Sequence, residues 1–156
     1  MNEKVHLELS DIAKVFQRVK RPAGTLKPFS RSGPYQLKVV DYEADEDQFT
    51  FTATGVIAKG VFPGAVKAAH LKELFEEAML AILRHSGEVR NDQWAPHLRA
   101  TMTTKAKTPP GEINFSGYIK IKRRENKSPI VQLYCEINPN VTYEFEGRIV
   151  SNPHLE

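Results

Sequence analysis

Four ionisable side chains recur at helical spacing in the middle of the chain. His70, Glu73, Glu77 and Arg84 fall within a narrow sector of a helix when each residue turns by about 100°. One interpretation is a row of titratable groups beside a cleft, where perturbed acids and bases commonly work. The other is a solvated helix face, on which Glu73 and Glu77 form a poorly matched like-charge pair.

The element that carries these residues is the long helical pattern of the sequence. No proline interrupts residues 65–84, and a second set of positions follows the i, i+3, i+4, i+7 spacing of one apolar face. These positions are Leu71, Leu74, Phe75, Ala78, Met79 and Ile82. We therefore predict a helix from about Gly64 to His85 that packs on a sheet and is ended by a left-handed Gly87.

The rest of the chain consists mainly of strand patterns. They cover Tyr35–Tyr42, Gln48–Ile57, Leu98–Lys107, Glu112–Arg124, Ile130–Ile137 and Val141–Val150. Before them we predict a short helix, capped by Ser10 and ending at Arg18, that covers a sheet edge or barrel end, and then a loop over residues 22–34. This order predicts one α+β domain over residues 1–156, with a core over 34–150, in which a twisted antiparallel sheet curls around the long helix.

Several segments, in this order, resemble the 3-hydroxyacyl-acyl-carrier-protein dehydratases. The turn Gly60-Val61-Phe62-Pro63-Gly64 is similar to the Gly-His-Phe-Pro-Gly turn that precedes the central helix of that family. Tyr35–Asp41 resembles the first strand, Glu77-Ala78-Met79 the acidic helix position, and Thr108–Ile113 the Pro-x-x-Pro-Gly-Asp-x-Leu element. The resemblance spans residues 34–150.

The resemblance implies a hot-dog fold and a protein that acts on, or binds, 3-hydroxyacyl thioesters of acyl carrier protein or coenzyme A in fatty acid biosynthesis. It implies that Glu77 is the catalytic acid, with Glu73 or Glu76 in that role if the register slips. The segment Gly60-Val61-Phe62-Pro63-Gly64-Ala65 would bind substrate, and the Gly64 or Ala65 amide would polarise the thioester carbonyl. A homodimer with substrate tunnels between its subunits is also implied.

Val61 stands where the resembled family has its catalytic histidine, and a valine cannot accept a proton. Loss of a general base typically removes about 10²- to 10⁴-fold of rate. His70 could substitute, although a solvated His70 is the better-supported interpretation, and His97 is a looser candidate. The alternatives to a weakly active dehydratase are therefore a non-catalytic acyl-thioester or carrier-protein binding module, and the inactive subunit of a heterodimeric dehydratase.

Charge and composition bear on partners and location. The formal charge is +3, and positive residues concentrate at Arg18–Arg21 and Lys120–Arg124. Because neither cluster contains aromatic residues that would stack on bases, an acidic carrier protein is expected rather than nucleic acid. No apolar run could span a bilayer and no secretion signal is evident, which predicts a cytoplasmic protein without membrane insertion. The single cysteine, Cys135, is predicted to be a buried thiol, and no metal or cofactor is expected.

Overall fold

The computed structural model describes residues 3–17, 35–57, 68–90, 93–106, 108–109, 111–137 and 140–151. Within these ranges the chain forms two helices, α1 and α2, and nine strands, β1 to β9. Their order is β1 Glu3–Leu7, α1 Leu9–Gln17, β2 Tyr35–Asp45, β3 Gln48–Ile57, α2 Ala68–Ser86, β4 Gln93–Trp94, β5 His97–Thr104, β6 Gly111–Arg124, β7 Lys127–Ile137, β8 Val141–Arg148 and β9 Val150–Ser151.

The main sheet of the described residues has the strand order β1-β2-β3-β6-β7-β8-β5, with antiparallel pairing between all neighbours. The β2–β3 and β6–β7 hairpins turn at Glu46 and Asn126, whose φ angles are 53° and 59°. A left-handed residue of this kind lets the chain reverse direction within two residues. Strand β2 ends later and strand β7 begins earlier than the strand patterns Tyr35–Tyr42 and Ile130–Ile137 predict, so both connections are short.

The predicted apolar face of α2 packs against one face of this sheet. Leu71, Leu74, Phe75, Ala78, Met79 and Ile82 are all buried. They meet inward-facing strand residues such as Phe115 and Tyr143, whose ring centroids lie 5.0 and 5.7 Å from that of Phe75. One long helix against one antiparallel sheet is an α+β arrangement consistent with the predicted hot-dog fold.

The end of α2 agrees closely with the prediction. The helix runs to Ser86, and Gly87 follows it with a φ of 89°. The amide of Val89 donates to the carbonyl of Leu83 at 3.1 Å, as in a glycine-terminated helix end. The predicted start near Gly64 lies outside the described residues.

Several predicted boundaries are wrong. Strand β1 was not predicted, because alternating charged residues conceal an edge strand that pairs with β2. Helix α1 is capped at Glu8 rather than Ser10, since the Glu8 amide donates to the Asp11 carboxylate at 3.0 Å. The last predicted strand is divided at Ile149, whose amide turns away to donate to the carbonyl of Pro129. The residues after Ile149 form β9, which pairs with β4, a strand that was not predicted.

Helix α1 packs against α2 and β2 and thereby covers one side of the central helix. Its apolar face, formed by Ile12, Val15 and Phe16, is buried. Helix α1 thus closes part of the core and shields one side of α2 from solvent.

Candidate functional site

The polar sector of α2 is not a uniformly solvated face. Glu77 is 5% exposed and Arg84 8% exposed, whereas Glu73 is exposed and His70 half-buried. The solvated-face interpretation is therefore wrong for Glu77 and Arg84. The reason is tertiary, because α1 and β2 both pack against α2. Two charged residues of the row are thereby removed from water.

The Glu77 carboxyl group is buried without compensation. Neither of its oxygens accepts a hydrogen bond from any residue that the structure describes. Burial, and to a lesser extent the charge of Glu73, raises the pKa of Glu77 to about 8. A carboxyl group in such surroundings holds its proton at neutral pH, because the charged form has lost its hydration and gained no donors.

Tyr35, the first residue of β2, lies beside this carboxyl group. Its hydroxyl group is hydrogen-bonded to Glu73, and its ring centroid lies 6.3 Å from that of His70. Burial, the hydrogen bond to Glu73 and the charge of Glu77 raise the pKa of the Tyr35 phenol. Tyr35, His70, Glu73 and Glu77 are hereafter called the Glu77 cluster.

Sequence reasoning identified three members of the Glu77 cluster and missed Tyr35. The sequence showed Tyr35 only as the start of a strand. The β2–β3 register, which pairs Tyr35 with Ile57, places it at the end of the sheet that faces the first turns of α2. No local signal could reveal that contact, because it joins residues far apart in the chain.

His70 and Glu77 share a helix side but are seven residues apart, about 10 Å along the axis. Glu77 has no hydrogen-bond partner in the described part of the chain, so the two side chains do not form an acid–base pair. His97 is exposed on β5, at the opposite edge of the sheet from β2. The structure therefore does not bring His97 to the Glu77 cluster.

Glu76, proposed as an alternative acid, faces a different side of α2. Its carboxylate accepts a hydrogen bond from the Tyr143 hydroxyl group at 2.7 Å and pairs with Lys72 at 2.9 Å. Cys135 lies close enough for the charge of Glu76 to affect it, but burial is the main cause that raises the pKa of its thiol. Glu76 thus links α2 to β8 through Tyr143. The prediction that Cys135 is a buried thiol is confirmed.

Some of the other predicted features lie outside the residues that the structure describes. The predicted substrate-binding segment Gly60-Val61-Phe62-Pro63-Gly64-Ala65 and the basic cluster at 18–21 lie outside the described residues. In the second basic cluster, Arg123 pairs with Asp47 and Glu88, and Arg124 donates to the carbonyl of Ser128.

The described ranges contain no group of three or more His, Cys, Asp or Glu residues that could hold a metal ion. None of their helices is both long enough and apolar enough to cross a membrane.

Comparisons with known proteins give distant similarities of backbone course. No protein-family model matches the sequence, and no curated protein matches it significantly. The fluoroacetyl-CoA thioesterase FlK is similar with a TM-score of 0.49 and 13% identity over 69% of this chain and 90% of that one. A probable thioesterase from Bartonella henselae is similar with a TM-score of 0.48 and 17% identity, over 67% of this chain and 93% of that one. A hypothetical thioesterase from Streptococcus pneumoniae, solved with coenzyme A, is similar with a TM-score of 0.45 and 8% identity, over 76% of this chain and 87% of that one.

Proposed function

We propose that this chain binds acyl thioesters beside the Glu77 cluster and that Glu77 is its acid–base group. The observation that carries the catalytic part is the buried, unpartnered Glu77 carboxyl group, whose pKa is about 8. A group that titrates near the working pH can both take and return a proton efficiently. The thioester substrate class is inferred from the sequence resemblance over residues 34–150.

Hydrolysis of the thioester is the reaction that this arrangement supports best, because it requires one acid–base group. Ionised Glu77 takes a proton from a water molecule whose oxygen attacks the thioester carbonyl carbon. The tetrahedral intermediate then breaks its carbon–sulfur bond, and the departing thiolate takes the proton back from Glu77. Backbone amides near the start of α2 are the expected donors to the oxyanion.

Dehydration of 3-hydroxyacyl thioesters is the second candidate. It requires a base at the carbon next to the carbonyl and an acid at the departing hydroxyl group. The placement of His70 beside Tyr35, on the same side of α2 as Glu77, favours this candidate. The lack of a hydrogen bond from any described residue, His70 included, to the Glu77 carboxyl group weighs against it. A non-catalytic binding module remains the alternative if neither reaction occurs.

A single set of assays separates these functions. 3-Hydroxyacyl-coenzyme A thioesters, which can undergo either reaction, are incubated with the protein, and thiol release and 2-enoyl product are followed in parallel. Hydrolysis predicts thiol release that rises with pH towards 8 and falls at least a hundredfold in Glu77→Gln. Glu112→Gln, which changes an exposed carboxylate on β6, is the matched control.

Each other outcome assigns a different function. Formation of 2-enoyl product that is lost in His70→Ala would establish dehydration with His70 as base. Thioester binding without either product would leave a binding module, and Val61→His would then test whether an added imidazole creates hydration of 2-enoyl thioesters. Turnover that survives Glu77→Gln would show that the site lies elsewhere.

The proposed partner is coenzyme A or an acidic acyl carrier protein. Lys120 and Lys122 remain exposed on β6, whereas Arg123 and Arg124 are held by other residues of the chain. Charge complementarity of this kind mainly affects the rate of association. Salt-dependent binding of a carrier protein that weakens in a Lys120→Gln, Lys122→Gln variant would support the carrier. Unchanged binding would contradict this surface.

A further inference from the structure

The main sheet carries a groove on the face that points away from α2. Phe115 and Tyr143 point towards Phe75 of α2, so the residues that alternate with them along β6 and β8 point to the opposite face. The groove on that outer face crosses β6, β7, β8 and β5 and has a volume of about 340 Å³. Since ligand sites commonly have about 300–1,000 Å³, this groove has the size for a small ligand.

Two rows of cross-strand partners form the walls of the groove. The rows lie two residues apart along each strand, which is about 7 Å, and because neighbouring strands are about 4.8 Å apart the four strands give a floor about 14 Å long. The first row consists of Tyr118, Tyr134, Glu144 and Thr101, and the second of Lys120, Gln132, Glu146 and Arg99.

The second row contains a connected polar network. The Glu146 carboxylate accepts a hydrogen bond from Nε2 of Gln132 at 3.0 Å and forms an ion pair with Nε of Arg99 at 3.6 Å. These contacts restrain three planar side chains next to one another across β7, β8 and β5. Polar groups that are positioned before a ligand arrives lose less conformational entropy when it binds.

The first row contains a pair of stacked tyrosines. The ring centroids of Tyr118 and Tyr134 lie 5.4 Å apart, and their planes are inclined by 22°. The Tyr134 hydroxyl group donates to the Glu136 carboxylate at 3.3 Å, which fixes this ring further. Tyr118 is 36% exposed. The pair thus offers an ordered apolar surface within a groove whose other side chains are polar.

The charges that line the groove balance and thereby select the class of ligand. Arg99 and Lys120 are positive, and Glu144 and Glu146 are negative. A nucleotide phosphate would meet the two carboxylates and a polyamine the two cations, so the site opposes a strong charge of either sign. A peptide strand binds to a sheet through unpaired backbone groups at an edge, which a sheet face does not offer. A neutral, polar small molecule fits best.

We propose that this groove binds a neutral saccharide. Each sugar hydroxyl group both donates and accepts hydrogen bonds, so it matches a wall that presents guanidinium, amide, carboxylate and hydroxyl groups together. The C–H groups of a sugar ring pack on the tyrosine rings, whose faces carry the negative part of the aromatic quadrupole. The groove and the Glu77 cluster lie on opposite sides of the sheet, so this inference does not depend on the proposed function.

Ligand selectivity of the wild-type protein is the first test. Cellotriose and maltotriose are titrated as neutral saccharides, AMP as an aromatic anion and spermidine as a cation, with binding measured by calorimetry and mapped by NMR amide shifts. We expect at least one trisaccharide to bind in the millimolar range or below, and at least tenfold more tightly than AMP and spermidine. The amide shifts should concentrate in β6, β7, β8 and β5. Binding of neither trisaccharide, tighter binding of AMP or spermidine, or shifts confined to other strands would overturn the site.

Variants of the groove give the second test. Tyr134→Leu, which removes the ring but keeps an apolar side chain, should weaken saccharide binding at least tenfold. Trp94→Leu, which removes an exposed ring outside the groove, is the matched control and should bind as the wild type does. Unchanged binding in Tyr134→Leu, or an equal loss in Trp94→Leu, would overturn the role of the tyrosines. The comparison of ligands in the wild-type protein requires no variant, so it decides the matter even if Tyr134→Leu does not fold.

Discussion

At the scale of single residues, the burial of Glu77 sets the chemistry of the site. The carboxyl group projects from α2 into the apolar interior, and none of the residues that the structure describes donates a hydrogen bond to replace its lost hydration. Its pKa of about 8 therefore means that the folded protein holds a proton which the unfolded chain releases near pH 4.5. Such a group couples stability to pH as well as catalysis.

The first prediction concerns this coupling. Below about pH 4.5 the folded and the unfolded protein both hold the Glu77 proton, so Glu77 does not change the stability. Between pH 4.5 and pH 8 only the unfolded protein releases this proton, so the free energy of unfolding falls as pH rises. Glu77→Gln should remove this fall and exceed the wild type by about 3–5 kcal/mol in free energy of unfolding at pH 9, since one pKa unit is about 1.4 kcal/mol. Denaturant unfolding at pH 5 and pH 9 measures the difference, with Glu112→Gln as the exposed control. A pH-independent difference would contradict the burial of an ionisable Glu77.

The second prediction concerns Glu73, whose charge is the smaller cause of the raised pKa of Glu77. Glu73→Gln should lower the pKa of Glu77 without returning it to the ordinary range, because burial is the larger cause and remains. NMR titration of the Glu77 carboxyl carbon in both proteins measures the shift directly, and Glu112→Gln should leave it unchanged. A wild-type Glu77 that titrates near 4.5 would rule out both this prediction and the acid–base role at neutral pH.

At the scale of elements, the close approach of α2 to β3 fixes where the site lies. A Cβ atom at Gly55 would come within 2.8 Å of both Cδ atoms of Leu74 and 3.2 Å of the Gln36 carbonyl oxygen. The helix can thus pack closely only because β3 has no side chain at this point. Leu74 is fully buried and has little room to move.

The third prediction tests this contact. Gly55→Ala should destabilise the protein by about 1–3 kcal/mol, as overpacking of a filled core does. Thr52→Ala, on the exposed side of the same strand, should change stability by no more than about 0.5 kcal/mol. In a Leu74→Ala background the cost of Gly55→Ala should shrink, because the clashing methyl groups are gone. An equal cost in both backgrounds would show that Leu74 is not the obstacle.

At the scale of the whole molecule, the sheet of the described residues ends in two open edge strands, β1 and β5. Strand β5 carries Leu98, 54% exposed, and Trp94 nearby is 42% exposed. An exposed strand edge with apolar side chains is a common site for association with another chain.

The fourth prediction is that two copies of this chain associate through the β5 edge. Sedimentation should show a dimer at micromolar concentration, and Leu98→Lys should shift it to monomer. Leu9→Lys, at an exposed leucine of α1, is the matched control and should leave the dimer unchanged. A wild-type protein that sediments only as monomer would rule out the association, and a Leu98→Lys dimer would place the contact elsewhere.

Much of the architecture could be predicted from the sequence, because periodicity reports which side of an element is apolar. The helical repeat from Leu71 to Ile82 and the alternation in β3 gave the central helix and its sheet, and the apolar run around Cys135 gave a buried thiol. The resemblance also implied that Glu77 is the catalytic acid, which stays a prediction. The N-terminal strand β1 could not be predicted, because an edge strand buries few side chains and its pattern resembles a charged coil.

Which polar groups of α2 lose contact with water was decided only by the tertiary structure. Helical periodicity places His70, Glu73, Glu77 and Arg84 on one side of the helix but does not reveal what packs against that side. Helix α1 and strand β2 reach it through contacts between distant parts of the chain, which bury Glu77 and Arg84 and bring Tyr35 to Glu73. Because the pKa of a carboxyl group depends on its surroundings rather than on its neighbours in sequence, the chemical character of the site follows from the packing.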